Sequence, residues 1–150
     1  MIRTNPIHVL LADDDQDDCL LFEEALEELS FITRLEIEND GEKLLSSLNA
    51  PGACLPDILF LDLNMPCKSG FEFLQEIKQD EKLKTLPVVI LSTSLRSETA
   101  DMLIGQGADH YFKKPSDFSE LKDQIAQSLQ LIFESENELA HEEFGLQRGK

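Results

Sequence analysis

Basic residues are scarce in this 150-residue chain: 13 Lys and Arg stand against 30 Asp and Glu, for a net charge of −17. A field of that sign repels phosphate backbones, and no basic stripe offsets it, so nucleic-acid binding is not expected. Most of the excess acid serves solubility. Long apolar runs are missing as well. No stretch approaches the ~20 residues of a bilayer-crossing helix, and the N-terminus lacks the apolar core of a signal segment. The predicted address is therefore cytoplasmic, away from the membrane. Cysteine is sparse too: Cys19, Cys54 and Cys67 are odd in number and widely spaced, with no Cys-x-x-Cys pair. That pattern excludes a disulfide frame or a zinc site and suits reduced thiols.

What is present is a regular alternation of strand-like and helix-period segments, long enough for one domain with its own core. Ile7-His8-Val9-Leu10-Leu11-Ala12 and Ile58-Leu59-Phe60-Leu61 are short apolar runs bounded by turn residues, which read as buried parallel strands. Pro87-Val88-Val89-Ile90-Leu91 is the clearest of this kind, and His110-Tyr111-Phe112-Lys113 a weaker one. Leu35-Glu36-Ile37-Glu38 alternates as an edge strand beside the first, ended by the turn Asn39-Asp40-Gly41. Helices are predicted over 17–30, with Asp15 as N-cap and Leu20, Leu21, Ala25, Leu26 and Leu29 inward, and over 42–48. Further helices cover 71–79, with Phe73, Leu74 and Ile77 inward, and 97–106, closed by Gly107. The last starts at Ser116 or Asp117 and carries the stripe Leu121, Ile125, Leu129, Ile132 to about Phe133. The alternation implies an α/β fold, (βα)5, with parallel strands, right-handed crossovers and helices on both faces of a doubly wound sheet. Residues 134–150 are an acidic tail that lengthens the last helix, makes a dimer contact or stays without structure.

On this reading Asp13, Asp14, Asp62 and Lys114 all fall at carboxyl ends of strands, where open α/β sheets bind ligands. Carboxylates crowded there repel one another unless a divalent cation compensates, and hard oxygen ligands suit Mg2+. The combination is that of a site for making an acyl phosphate. Asp15, Asp17 and Asp18 are assigned instead to helix capping and solvation, since the helix dipole favours acids at that end.

Leu11-Ala12-Asp13-Asp14, Phe60-Leu61-Asp62-Leu63-Asn64-Met65-Pro66, Gly70-Phe71, Pro87-Val88-Val89-Ile90-Leu91-Ser92 and Lys113-Lys114-Pro115 resemble, in order and spacing, the bacterial response-regulator receiver domain. The resemblance covers about Ile7 to Phe133 and implies one receiver domain over residues 1–133 with no output domain after it. It implies a five-stranded sheet of flavodoxin-like order 2-1-3-4-5. Position by position, it makes Asp62 the acceptor of a phosphoryl group from a sensor histidine kinase. It makes Asp14 and Asp62 direct Mg2+ ligands, Asp13 a ligand mainly through water, and the carbonyl of Asn64 the last protein ligand. Lys114 pairs with the acceptor carboxylate and then with the phosphoryl group, and Lys114-Pro115 is expected to be cis. Ser92, with Thr93 as rival, is the hydroxyl that binds the phosphoryl group, and Tyr111 the aromatic that swings behind it; Tyr111 also reads as an ordinary core aromatic. Partners would read the face of the fourth helix, fifth strand and fifth helix.

The resemblance implies a switch rather than an enzyme, with at most self-phosphorylation and slow self-dephosphorylation. The Asp-rich opening and Asp62-Leu63-Asn64-Met65-Pro66 look most like single-domain regulators found beside sensor kinases, including phytochrome-type ones. Such a chain acts on a downstream effector, or shuttles its phosphoryl group to a histidine phosphotransfer protein, as a monomer or weak homodimer. Competing readings fit less well. Asp62-Leu63-Asn64 resembles the Asp-x-Asp opening of haloacid-dehalogenase-type phosphatases, but Asn64 cannot supply the second acid. Asp13-x-Asp15-x-Asp17 with Glu24 matches part of a calcium loop, but its sixth position is Asp18 where a glycine is required. A phosphorylation-independent module on the same fold would have lost an acid or the lysine, and none is lost. His8, His110 and His141 have no ligand-like spacing.

Overall fold

A computed structural model describes residues 6–52, 54–63, 70–93 and 97–143. Among them five strands and five helices alternate: β1 (Ile7–Ala12), α1 (Gln16–Glu27), β2 (Thr33–Glu38), α2 (Gly41–Asn49), β3 (Ile58–Asp62), α3 (Gly70–Gln79), β4 (Val88–Ser92), α4 (Ser97–Gly105), β5 (His110–Lys113) and α5 (Phe118–Glu143). The strands form one parallel sheet in the order β2-β1-β3-β4-β5. That is the flavodoxin-like order the sequence implied. No helix among the described residues is long and apolar enough to cross a membrane.

The central strands β1, β3 and β4 are buried along their whole length, which is why they read as continuous apolar runs. Successive side chains point to opposite faces, so each strand feeds two cores. Leu10, Leu59, Leu61, Val88 and Ile90 pack with Leu44 of α2, Phe73, Leu74 and Ile77 of α3 and Leu103 of α4. Val9, Leu11, Ile58, Phe60, Val89 and Leu91 pack with Phe22, Ala25 and Leu26 of α1 and Ile125 and Leu129 of α5. The helices therefore cover both faces, as a parallel sheet requires.

Helix α1 departs from the predicted stripe. Leu20 is 58% exposed and Leu21 45%, while Cys19, Phe22, Ala25 and Leu26 turn inward. At about 100° per residue, Leu20 lies roughly 200° round from Phe22, on the far side of the helix. A leucine pair gives no signal of which side faces the sheet; the aromatic Phe22, meeting Phe60 edge-on at 4.9 Å, sets it. The predicted cap holds, with Asp15 accepting from the Asp18 N–H at 3.1 Å. Asp40 caps α2 the same way, accepting from the N–H of Glu42 at 2.8 Å, so the predicted turn is also a helix start. The fifth helix starts behind Asp117, whose side chain accepts from the Ser119 N–H at 3.0 Å.

Gly107 ends α4 with φ +110°. A Cβ there would also meet the Cγ of Lys78 at 2.9 Å. Lys78 has little room to move, because its ammonium donates to the carbonyls of Leu86 (2.8 Å) and Lys84 (3.2 Å). Gly107→Ala is expected to lower the unfolding free energy by about 1–3 kcal/mol, from backbone strain alone. Urea denaturation of the two proteins measures this, and an unchanged midpoint would show that the turn relaxes freely.

Candidate functional site

The sheet order brings the predicted site residues to one edge. Because β1 pairs directly with β3, Asp13 and Asp62 leave the sheet side by side. Asp14 follows at the loop. The carboxylates of Asp13, Asp14 and Asp62 each offer an oxygen within 4.8 Å of the others, with Asp13 and Asp62 buried and Asp14 exposed. The fourth residue arrives from β5. The backbone N–H of Lys114 donates to the Ser92 carbonyl at 2.7 Å, which carries the strand pairing one residue further and aims the side chain across the edge.

The lysine forms the expected ion pair with Asp62 but sits closer to two other acids. Its ammonium donates to Oδ2 of Asp13 at 2.9 Å and to Oδ2 of Asp18 at 2.8 Å, and lies 3.6 Å from Oδ2 of Asp62. Asp18, assigned from sequence to capping and solvation, is thus part of the site. It stands in the first turn of α1, whose start is set by the Asp15 cap, and that turn overhangs Asp13. The expected cis Lys114–Pro115 bond is not there: no cis peptide occurs among the described residues. Trans is the lower-energy form of an X–Pro bond, and in it Lys114 already reaches Ser92 with its backbone and both aspartates with its ammonium.

Asp13 is the most constrained acid. Its Oδ1 accepts the Asp15 N–H at 2.9 Å and its Oδ2 the Lys114 ammonium. Burial nevertheless pushes its carboxyl up to about 6, against the opposing pull of the Asp15 N–H and Lys114. Burial also works against the Lys114 charge, but the bonds to Asp18 and Asp13 and the nearby Asp62 outweigh it and hold the ammonium above the usual lysine range.

Behind Asp13 lies a support that the sequence reading missed. Asn39 Nδ2 donates to the Asp13 carbonyl at 2.8 Å, and the Cys19 thiol donates to it at 3.5 Å. Burial pushes that thiol up to about 11, so it stays protonated as a donor. The register offered a clue: Ala12 pairs with Glu38, which puts Asn39 beside Asp13. Ser92 is buried, Thr93 exposed, and Tyr111 packs, half-buried, against the core on the α2–α4 side. Lys113 is exposed. Asn64 lies outside the described residues.

The three carboxylates fit a divalent cation. Their oxygens converge, and hard oxygen donors suit Mg2+ or Mn2+.

The family model for the response regulator receiver domain matches residues 9–126. The chain belongs to that family. It is similar to the probable methanogenesis regulatory protein FilR2 of Methanothrix harundinacea, 34% identical over 121 residues, covering 79% of this chain and 78% of FilR2. Response regulator Rcp1 of Synechocystis is 39% identical over 93 residues, covering 59% of this chain and 63% of Rcp1. Among solved structures, the phosphorylated cyanobacterial phytochrome response regulator RcpA superposes with a TM-score of 0.75 at 32% identity, covering 87% of this chain and 96% of that one. The Mn2+-bound form of Rcp1 does so with a TM-score of 0.72 at 31% identity, covering 80% and 89%. The chain is accordingly a phosphoacceptor domain of two-component signalling, and receiver domains bind Mg2+ or Mn2+ in an acidic pocket and interact with histidine kinases and effectors.

Two predictions follow from the geometry. A cation competes with the proton on Asp13, so Mg2+ affinity should fall as pH drops below about 6 and level off above it. Calorimetric titration across that range measures this, and a flat profile would remove Asp13 from the binding set. Asn39→Ala should weaken Mg2+ binding about tenfold by loosening the Asp13 backbone, the usual scale for a support behind a ligand. Equal affinity would make Asn39 a bystander.

Proposed function

We propose that Asp62 is the phosphoacceptor, charged by a sensor histidine kinase, and that the acyl phosphate is read out as a change of surface. The observation that carries this reading is the convergence of Asp13, Asp14 and Asp62 within 4.8 Å beside one ammonium group. An Asp62 carboxylate oxygen bonds to the phosphorus of a phosphohistidine while the P–N bond breaks and the imidazole leaves with its electron pair. Such a transfer asks for alignment and neutralisation of spreading charge rather than covalent help. Bound Mg2+ supplies that neutralisation.

The chain's own groups do the rest. Burial holds the Asp62 carboxylate at the strand end. Lys114 presents N–H donors 3.6 Å away, in reach of phosphoryl oxygens. Asp13 has hydrogen bonds on both oxygens and suits a role through bound water, whereas exposed Asp14 is open for direct ligation. The Asn64 carbonyl joins the set through the family resemblance alone.

For the readout, burial favours Ser92 over the exposed Thr93. Ser92 lies two residues beyond Ile90, the register partner of Tyr111, so hydroxyl and aromatic share one face of the sheet. A serine hydroxyl drawn toward the phosphoryl group vacates space that Tyr111 enters. The change reaches α4, β5 and α5, where Met102, Ile104 and Leu131 are exposed for an effector protein.

Acetyl phosphate with Mg2+ should label the protein at one site, seen by intact mass, and Asp62→Asn should reduce labelling to background. A variant labelled as strongly as the wild type would remove Asp62 from this role.

A further inference from the structure

We propose that Asp18 is a positioning residue for Lys114: it holds the ammonium at rest and gives it up when a phosphoryl group occupies Asp62. The inference rests on the phosphoacceptor reading above and concerns how that site is set.

Three carboxylates surround one ammonium, and the two that touch it are Asp13 at 2.9 Å and Asp18 at 2.8 Å, with Asp62 at 3.6 Å. A phosphoryl group on Asp62 adds anionic oxygens on the side where the lysine, through its third N–H, forms only the longer ion pair of 3.6 Å. Drawing the ammonium into a short bond with them pulls it away from the two closer contacts, and the one that yields more easily lengthens. Exposure decides which. The Asp13 side chain is 2% exposed, and a buried carboxylate deprived of its cation has no water to replace it. The Asp18 side chain is 35% exposed, so water takes the vacated position at little cost. Asp18 is thus the contact that exchanges, and its grip opposes binding of an anion at Asp62. A helix cap needs none of this: the α1 cap is Asp15, which binds the Asp18 backbone N–H and leaves the Asp18 carboxylate to the lysine.

Fluoroberyllate, a mimic of the phosphoryl group, tests the proposal when titrated into Mg2+-loaded protein. Removing a half-exposed ion-pair partner changes an equilibrium by about fivefold. Asp18→Asn should therefore bind fluoroberyllate about fivefold more tightly, with Mg2+ affinity changed no more than in Asp17→Asn. The latter removes the same charge from an exposed neighbour and should leave fluoroberyllate affinity near that of the wild type. In a Lys114→Met background the effect of Asp18→Asn should vanish, because no ammonium is left to release. Metal-free urea unfolding of the wild type, Asp18→Asn, Lys114→Met and the double variant gives a second reading, in which Asp18→Asn and Lys114→Met should be non-additive. Equal tightening in Asp17→Asn, an undiminished effect without Lys114, weaker binding in Asp18→Asn, or additive unfolding would each overturn the proposal. Failure of the wild type to bind fluoroberyllate at all would instead strike at the phosphoacceptor reading, and take the positioning role down with it.

Discussion

Two carboxylates buried side by side at the end of a sheet repel one another, and the ammonium of Lys114 is what the fold sets against Asp13 and Asp62. Water cannot screen them well at that depth, so the balance has to come from named groups. One ammonium shared among Asp13, Asp18 and Asp62 leaves the edge short of positive charge even before exposed Asp14 is counted. Burial adds to this, pushing the Asp13 carboxyl up against the pull of the Asp15 N–H and Lys114. On the proposed reading a metal ion and a phosphoryl group would relieve the shortage and restore it in turn: the cation would meet the excess of acid, and the anion would then draw on both cation and lysine. The edge is built to be unbalanced until its ligands arrive.

Strand order is what makes this arrangement possible. Placing β1 next to β3 puts two acid-bearing strand ends in contact, though α1, β2 and α2 separate them along the chain. Lys114 belongs to β5, two strands from β3, and a side chain from that distance needs help to arrive. The 2.7 Å bond from its backbone to the Ser92 carbonyl supplies it by extending the β4–β5 pairing past Lys113. Asn39 does the equivalent for Asp13 from the β2 side. The site is thus fastened at its backbone on both flanks, by the Lys114 N–H on one side and the Asn39 side chain on the other.

The elements were legible because burial on both faces forces continuous apolar runs in β1, β3 and β4, and because Asp15 sits where a helix start demands an acceptor. The acids and the lysine were legible because each follows directly on such a run. What escaped lay on helices or in neighbouring strands, where chain position alone does not fix direction. Leu20 and Leu21 advertise an apolar face that Phe22 overrules. Asp18 reads as one acid among several in a first turn, and only the three-dimensional overhang of α1 gives it to Lys114. Asn39 looks like a turn residue until the β1–β2 register sets it beside Asp13. Proline after lysine suggested a cis bond, yet the contacts that would require one are already made in trans.

The alternation of side chains also separates chemistry from readout. Asp13 continues the phase of Val9 and Leu11, and Asp62 that of Ile58 and Phe60, all in the core shared with α1 and α5. Ser92 continues the phase of Val88 and Ile90, and Tyr111 packs in that same core, shared with α2, α3 and α4. Charge is therefore gathered on one side of the sheet, and Ser92 and Tyr111 lie on the other. On the proposed reading the Ser92 hydroxyl reaches the phosphoryl group from the strand end, and the backbone offers a second link. The bond between the Lys114 N–H and the Ser92 carbonyl is such a link. A lysine shifted toward a new anion, as proposed, would pull on the chain at Ser92 through that bond.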